Sequence, residues 1–270
     1  RGGPRRRDDR PEPRDRRTSR EHRPVEPRMP DDVAAASLDR AVRQELRSLP
    51  KETADRVAAH LAAANALLDS DPEAAYAHAA AAARRASRIA VVRETYGVAA
   101  YATGRWAEAQ RELRAARRMS GRDDVLPLLA DCERGLGRPE RALALAGSPE
   151  ARALEGDARI EMLIVTAGAR RDLGQPDAAV LALQVSELRT RTRAPWQVRL
   201  RYAYADALLA AGRRNEAVTW FDRVAAADTE QGTDAAARLA ELRGGTAPEA
   251  PPARRQPDPG IVDLAGDDED

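Results

Sequence analysis

The sequence predicts an all-α protein: a right-handed α-solenoid of about five helical hairpins, closed at both ends by capping helices. Three observations carry that expectation. Apolar residues make up 43% of the 270, yet only 3% are aromatic, so the core must be built from Ala, Leu and Val. Alanine has the highest helix propensity and loses no side-chain entropy on ordering. A second observation is punctuation that recurs at "SDPEAA" (70–75), "GRWAEA" (104–109), "GRPERA" (137–142), "GQPDAA" (174–179) and "GRRNEA" (212–217), in steps of 34, 33, 37 and 38 residues. Gly137 can take the left-handed backbone that ends a helix, and Pro139 suits a first helical position because the donor it lacks would be orphaned there anyway. Third, an alanine stands five residues after each start, at Ala75, Ala109, Ala142, Ala179 and Ala217, where two antiparallel helices must cross closely.

The elements follow in chain order. Residues 1–30 hold eleven arginines against six acidic residues, a net of about +5, with six prolines and no apolar periodicity. Residues 1–32 are therefore expected to form a disordered basic tail. Over 33–50, Leu38, Val42, Leu46 and Leu49 recur at helical spacing, which predicts an amino-terminal capping helix. Residues 51–243 form the solenoid body, and "TDAAARLAEL" (233–242) closes it. Residues 244–270 carry two arginines against seven acids and are expected to be a disordered acidic tail. No apolar run approaches the roughly 20 residues that span a bilayer, so no membrane partner is expected. The single cysteine, Cys132, excludes an intramolecular disulfide and points to a reducing, cytoplasmic setting.

The spacing resembles the tetratricopeptide repeat, a helix–turn–helix unit of 34 residues, over roughly residues 53 to 228. That family carries a second small residue seven positions before the turn glycine, and the corresponding residues here are Ala63, Gly97, Ala130, Ala167 and Ala205. The tyrosine usual four before the glycine is replaced by Ala66, Ala100, Glu133, Arg170 and Leu208, so the repeats are degenerate. The two longer steps place extra residues near "GSPEARALEG" and "VSELRTRTRAPW", where an additional turn or a bend is expected.

Motifs for chemistry are sparse. A P-loop needs a lysine beside Ser or Thr after a glycine-rich turn, and the only lysine, Lys51, lies in "SLPKETAD". "GLGRPE" lacks the third glycine and the preceding strand of a dinucleotide site. His22, His60 and His78 show no metal-ligand spacing and read as surface or packing residues. Cys132 reads as a small core hydrophobe, and Asp123 with Asp124 as a helix start. The expectation is a non-catalytic protein without cofactor or small-molecule substrate.

Binding is expected in the concave groove that the resemblance implies, lined by the first helix of each repeat. Its groove-facing positions map onto Glu94 and Val98, Asp131 and Arg134, Glu161, Gly168 and Arg171, and Arg199, Tyr202, Asp206 and Leu209. Chaperone-binding members of the family use Asn and Lys in these rows, and neither occurs there. The partner contact is assigned to Asp131, Arg134, Glu161, Arg171, Arg199, Tyr202 and Asp206, and the partner is a protein or peptide segment. Of the two aromatic groups, Trp220, Phe221 and Tyr204 are expected to fill the core of the fifth repeat, and Trp196 to staple its entry. The alternative is an RNA- or ribosome-associated factor that attaches through Arg1, Arg5, Arg6, Arg7, Arg14, Arg16 and Arg17.

Overall fold

Helix-ending glycines and helix-opening prolines divide the chain where the sequence places them. The structure, a computed structural model, describes residues 26–30, 38–190, 192, 194–229 and 232–244. Among these there are thirteen α-helices, one 3-10 helix and no strand. The helices are α1 (Arg40–Leu46), α2 (Lys51–Leu67), α3 (Pro72–Ala86), α4 (Ala90–Ala102), α5 (Trp106–Ser120), α6 (Leu126–Gly135) and α7 (Pro139–Ala146). Then come α8 (Pro149–Arg152), α9 (Gly156–Asp172), α10 (Pro176–Leu183), α11 (Pro195–Ala210), α12 (Arg214–Ala227) and α13 (Ala235–Leu242). The extra turns expected in the longer spacers are α8 and the 3-10 helix Ser186–Arg189.

Four of the turns are chemically identical. After α6, Gly137 sits at φ +70°, its N–H donates to the Arg134 carbonyl at 2.8 Å, and the Arg138 N–H donates to the Glu133 carbonyl at 2.8 Å. The same pair of bonds closes α4, α9 and α11, which marks a repeated left-handed helix termination that satisfies the last carbonyls. The first turn differs because it has Ser70 in place of glycine. There the Asp71 N–H donates back to Leu67, and the Asp71 carboxylate caps α3 by accepting from the Ala74 N–H at 3.0 Å.

The small-residue rows are where helices touch. Ala75, Ala109, Ala142, Ala179 and Ala217 are all at most 1% exposed. Gly97 on α4 faces Leu113 on α5 so closely that an added Cβ would stand 2.7 Å from the leucine Cγ. Each helix packs on the next in the chain, and the first helices of successive hairpins, α2, α4, α6, α9 and α11, also meet one another in order. The core runs as a series of clusters rather than one centre: Leu38 to Val92, then Ala100 to Ala169, then Ile160 to Leu239. Leu38 and Leu46 bury beside Val57 at one end, and α13 seats Ala235 and Leu239 at the other.

Residues 1–25, 31–37 and 245–270 lie outside the described residues, so most of both expected tails does as well. One part of 1–32 is among the described residues. Residues 26–30 are seated on the body, with Glu26 bonded to His60 on α2 and Arg85 on α3. A buried histidine and an arginine supply the partners that a Pro-rich segment with little apolar surface lacks within itself.

Candidate functional site: the face of the first helices

The seven residues assigned to partner contact lie on α6, α9 and α11, and each is engaged with a neighbouring helix. On α6, Asp131 accepts from the Tyr101 hydroxyl of α4 and from Arg134 Nη1 at 2.6 Å. Arg134 reaches onward to Asp172 at 2.8 Å and lies flat over Gly168, where a Cβ would come within 2.4 Å of its guanidinium carbon. On α9, Glu161 accepts from Arg199 of α11 through Nε at 2.9 Å and Nη2 at 2.5 Å. Arg171 pairs with Asp206, which also accepts from Arg238 of α13 at 2.9 Å. The Tyr202 hydroxyl donates to Asp234 at 2.5 Å.

The inter-helix members of this ladder are separated by 30 to 38 residues, close to the repeat step. Mixed charge on the face is thus spent largely in tying each first helix to the following one. Burial, together with the Asp131 charge and hydrogen bond, pushes the Tyr101 hydroxyl well above the ordinary phenol range. Tyr202 is raised in the same way by burial and Asp234. Both therefore act as hydrogen-bond donors throughout the physiological range.

A cavity of about 420 Å³ opens between α4, α6, α9 and α11. Tyr101, Pro127, Leu128, Ala158 and Val165 supply its apolar wall. Its rim holds Asp124, Asp131, Asp157 and Glu161, of which Asp124 pairs with Arg122, Asp131 with Arg134 and Glu161 with Arg199. Asp157, exposed at the start of α9, pairs with no cation among the described residues. Nearby Glu94, another groove position, is raised above the usual carboxylate range by burial, with Arg122 opposing and the charges of Asp124 and Glu45 adding to it. Acidic groups here outnumber the cations that face them.

A second recess, about 650 Å³, lies between α5, α6 and α7 and is rich in arginine. Its carboxylates are partly committed: Glu133 Oε1 accepts from Arg114 at 3.1 Å and from Gln110 at 2.6 Å, while its buried Oε2 has no hydrogen-bond partner among the described residues and stands 3.8 Å from Arg138, and Asp123 accepts from Arg117 at 2.6 Å. Asp123 also uses its carbonyl to receive the Leu126 N–H, in keeping with a helix start.

Other candidates separate by position. Cys132 is fully buried, and burial pushes its thiol up to about 12, with Asp131 and Glu133 adding to the shift. It packs as the sequence predicts and presents no thiolate at neutral pH. Phe221 and Tyr204 are buried in the last cluster, with Trp196 and Trp220 packed against it. Arg1, Arg5, Arg6, Arg7, Arg14, Arg16 and Arg17 lie outside the described residues. Among the described residues no helix is long and apolar enough to cross a membrane.

Two clusters escaped the sequence reading. His60 and His78, eighteen residues apart, meet with Nδ1 atoms 3.0 Å apart and are 3% and 2% exposed. Tyr76 and Tyr96 converge on Glu108, at 2.8 and 2.7 Å, with Arg105 stacked 4.0 Å over the Tyr76 ring. The available signal was register: Glu108 lies 32 residues after Tyr76, close to one repeat step. No protein-family model matches the chain, and a search of curated proteins finds no match either.

Proposed function

We propose that the chain is a non-catalytic scaffold of the tetratricopeptide-repeat kind, a five-hairpin solenoid, which holds a protein segment against the face of α4, α6, α9 and α11. The observation that carries this reading is the cavity of about 420 Å³ with an apolar wall and a rim on which four carboxylates face three arginines, leaving Asp157 without an ion pair among the described residues. An apolar wall removes a side chain from water without selecting its sequence, and the rim supplies the selection. Charge complementarity then defines the occupant: an extended or helical segment with one apolar side chain flanked by arginine or lysine. The chain's own basic tail meets only half of that description, because residues 1–25 offer Val25 and prolines as their apolar side chains. The repeated turns, the buried small-residue rows and the pairing of successive first helices support the solenoid. The ladder on this face keeps the wall in register while leaving Asp157 and Glu94 available.

A random-peptide display selection on the full chain, repeated with Leu128→Glu, tests it. Enriched peptides should carry Arg or Lys within a few positions of Leu, Ile, Met or Phe, and the variant should lose them while keeping its helical circular dichroism. Enriched peptides that survive Leu128→Glu would move the site elsewhere. Acidic or uncharged peptides lost in the variant would keep the groove and overturn the stated occupant.

A further inference from the structure

The recess of about 650 Å³ between α5, α6 and α7 does not neutralise itself. Of the four arginines that line it, Arg114 pairs with Glu133 and Arg117 with Asp123. Arg118 and Arg141 form no ion pair among the described residues, and both are exposed. Glu133 is buried, with its Oε2 closed off from solvent, so it does not answer them. Under the charges lie the buried Leu126 and Leu129 and the half-buried Leu145, and the aliphatic stems of the arginines extend that apolar floor. The recess therefore suits a chain segment that places apolar side chains beside carboxylates.

We propose that the occupant is residues 261–270 of the same chain, "IVDLAGDDED". That stretch sets Ile261, Val262 and Leu264 shortly before Asp267, Asp268, Glu269 and Asp270. Its apolar side chains cover Leu145, and the carboxylates that follow face Arg118 and Arg141. The sign of the charge selects it: residues 245–270 hold two arginines against seven acids, whereas residues 1–25 carry net positive charge and are repelled. This site is distinct from the α4–α11 face, whose rim calls for the opposite charge, so one chain separates an acidic occupant from a basic one.

Reach permits the contact within one chain. From α7 the packing passes through α9, α11 and α12 to α13, after which the described residues run to Gly244. Packed helix axes stand about 8–10 Å apart, so these four steps separate α7 from α13 by at most about 40 Å. Extended, residues 245–260 span about 50 Å. Exposed ion pairs are individually weak and are screened by salt. Tethering compensates, because a linker of this order raises the effective concentration of the segment to about a millimolar. A free acidic peptide at lower concentration therefore leaves the recess as it finds it.

Cys132, the only cysteine, is fully buried, so a nitroxide attached at Ala265→Cys marks the segment alone in the full chain. Among the leucine methyls, those of Leu145 should be broadened most, ahead of Leu242 on α13, which lies far nearer to the label along the chain. Arg118→Glu with Arg141→Glu should cut the Leu145 broadening about tenfold, and adding Asp267→Arg with Asp268→Arg should restore it. That rescue separates lost docking from lost folding. Raising salt from about 50 to 500 mM should weaken the broadening. Broadening strongest at Leu242 would overturn the proposal, as would a Leu145 signal indifferent to the charge reversal. In a mixture of nitroxide-bearing chains with isotope-labelled chains that lack the nitroxide, Leu145 should stay sharp. Broadening there would assign the recess to a second copy and overturn the intramolecular contact.

Discussion

The helices α2–α5 and the helices α9–α13 bury similar hairpins with different chemistry. In the first region Ala62, Ala63, Ala64, Ala79, Ala81 and Ala82 are all at most 2% exposed, and they share the interior with His60, His78, Gln110 and Glu112. In the second, Leu183, Leu200, Leu208, Phe221 and Val224 are fully buried, and Gln197 is the one polar side chain classed as buried among the described residues there. Alanine brings backbones together but yields little transfer free energy per residue, and it leaves room beside it for larger polar groups. Those groups must then find partners, because an unpaired buried polar atom costs more than a paired one gains. The Tyr76–Tyr96–Glu108 and His60–His78–Glu26 sets are the result. Specific pairing thus works in α2–α5 alongside the fully buried Val57, Leu61, Val92 and Leu113, whereas in α9–α13 apolar volume does nearly all of it.

That contrast can be broken from either side. Phe221→Ala removes the largest fully buried side chain and should cost about 3–5 kcal/mol in a urea melt, with amide exchange rising first in α11–α13. Glu108→Leu leaves the Tyr76 and Tyr96 hydroxyls only each other, 3.2 Å apart, so one of the two loses its acceptor; the change should cost about 1–3 kcal/mol, with exchange rising first in α3–α5. Equal and uniform exchange in both variants would mean that the two regions unfold as one unit and share their energetics.

Two glycines sharpen the point by receiving the same substitution against different neighbours. At Gly97 the new methyl meets Leu113, including its backbone nitrogen at 3.1 Å, so Gly97→Ala should destabilise by about 1–3 kcal/mol through overpacking. At Gly168 it meets the Arg134 guanidinium, the far end of a flexible side chain. Gly168→Ala should therefore displace Arg134 from Asp172 and cost no more than about 1 kcal/mol. The smallest effect belongs to Arg199→Ala. Its pair with Glu161 is half exposed, so the loss should be within about 1 kcal/mol and should shrink with added salt.

The helix boundaries were legible because their signals are local. Gly137 beside Pro139 announces a turn whatever surrounds it, and an alanine at fixed spacing announces a close crossing. The ladder on the first helices was only half legible: register singled out Asp131, Arg171 and Asp206, but not that Asp131 meets Tyr101 or that Arg171 meets Asp206. Whether an arginine faces a partner or its neighbour's aspartate depends on how far successive hairpins rotate, and no short stretch of sequence encodes that angle. His60 and His78 were hidden for a related reason. Their contact joins α2 to α3 directly and is met by Glu26 from a segment whose composition gives it little apolar surface, so neither short stretch alone marks it.

The occupant of the α4–α11 face is the central claim, and methyl spectroscopy on the intact chain tests it most directly. A short peptide alternating leucine with arginine is titrated into protein labelled at leucine, valine and alanine methyls, with the glutamate counterpart as control. The basic peptide should shift Leu128, Ala158 and Val165 and leave Leu145, in the arginine-lined recess, unmoved. Shifts at Leu145 with the acidic peptide, and none at Leu128 with the basic one, would contradict the account and place binding on the opposite charge chemistry.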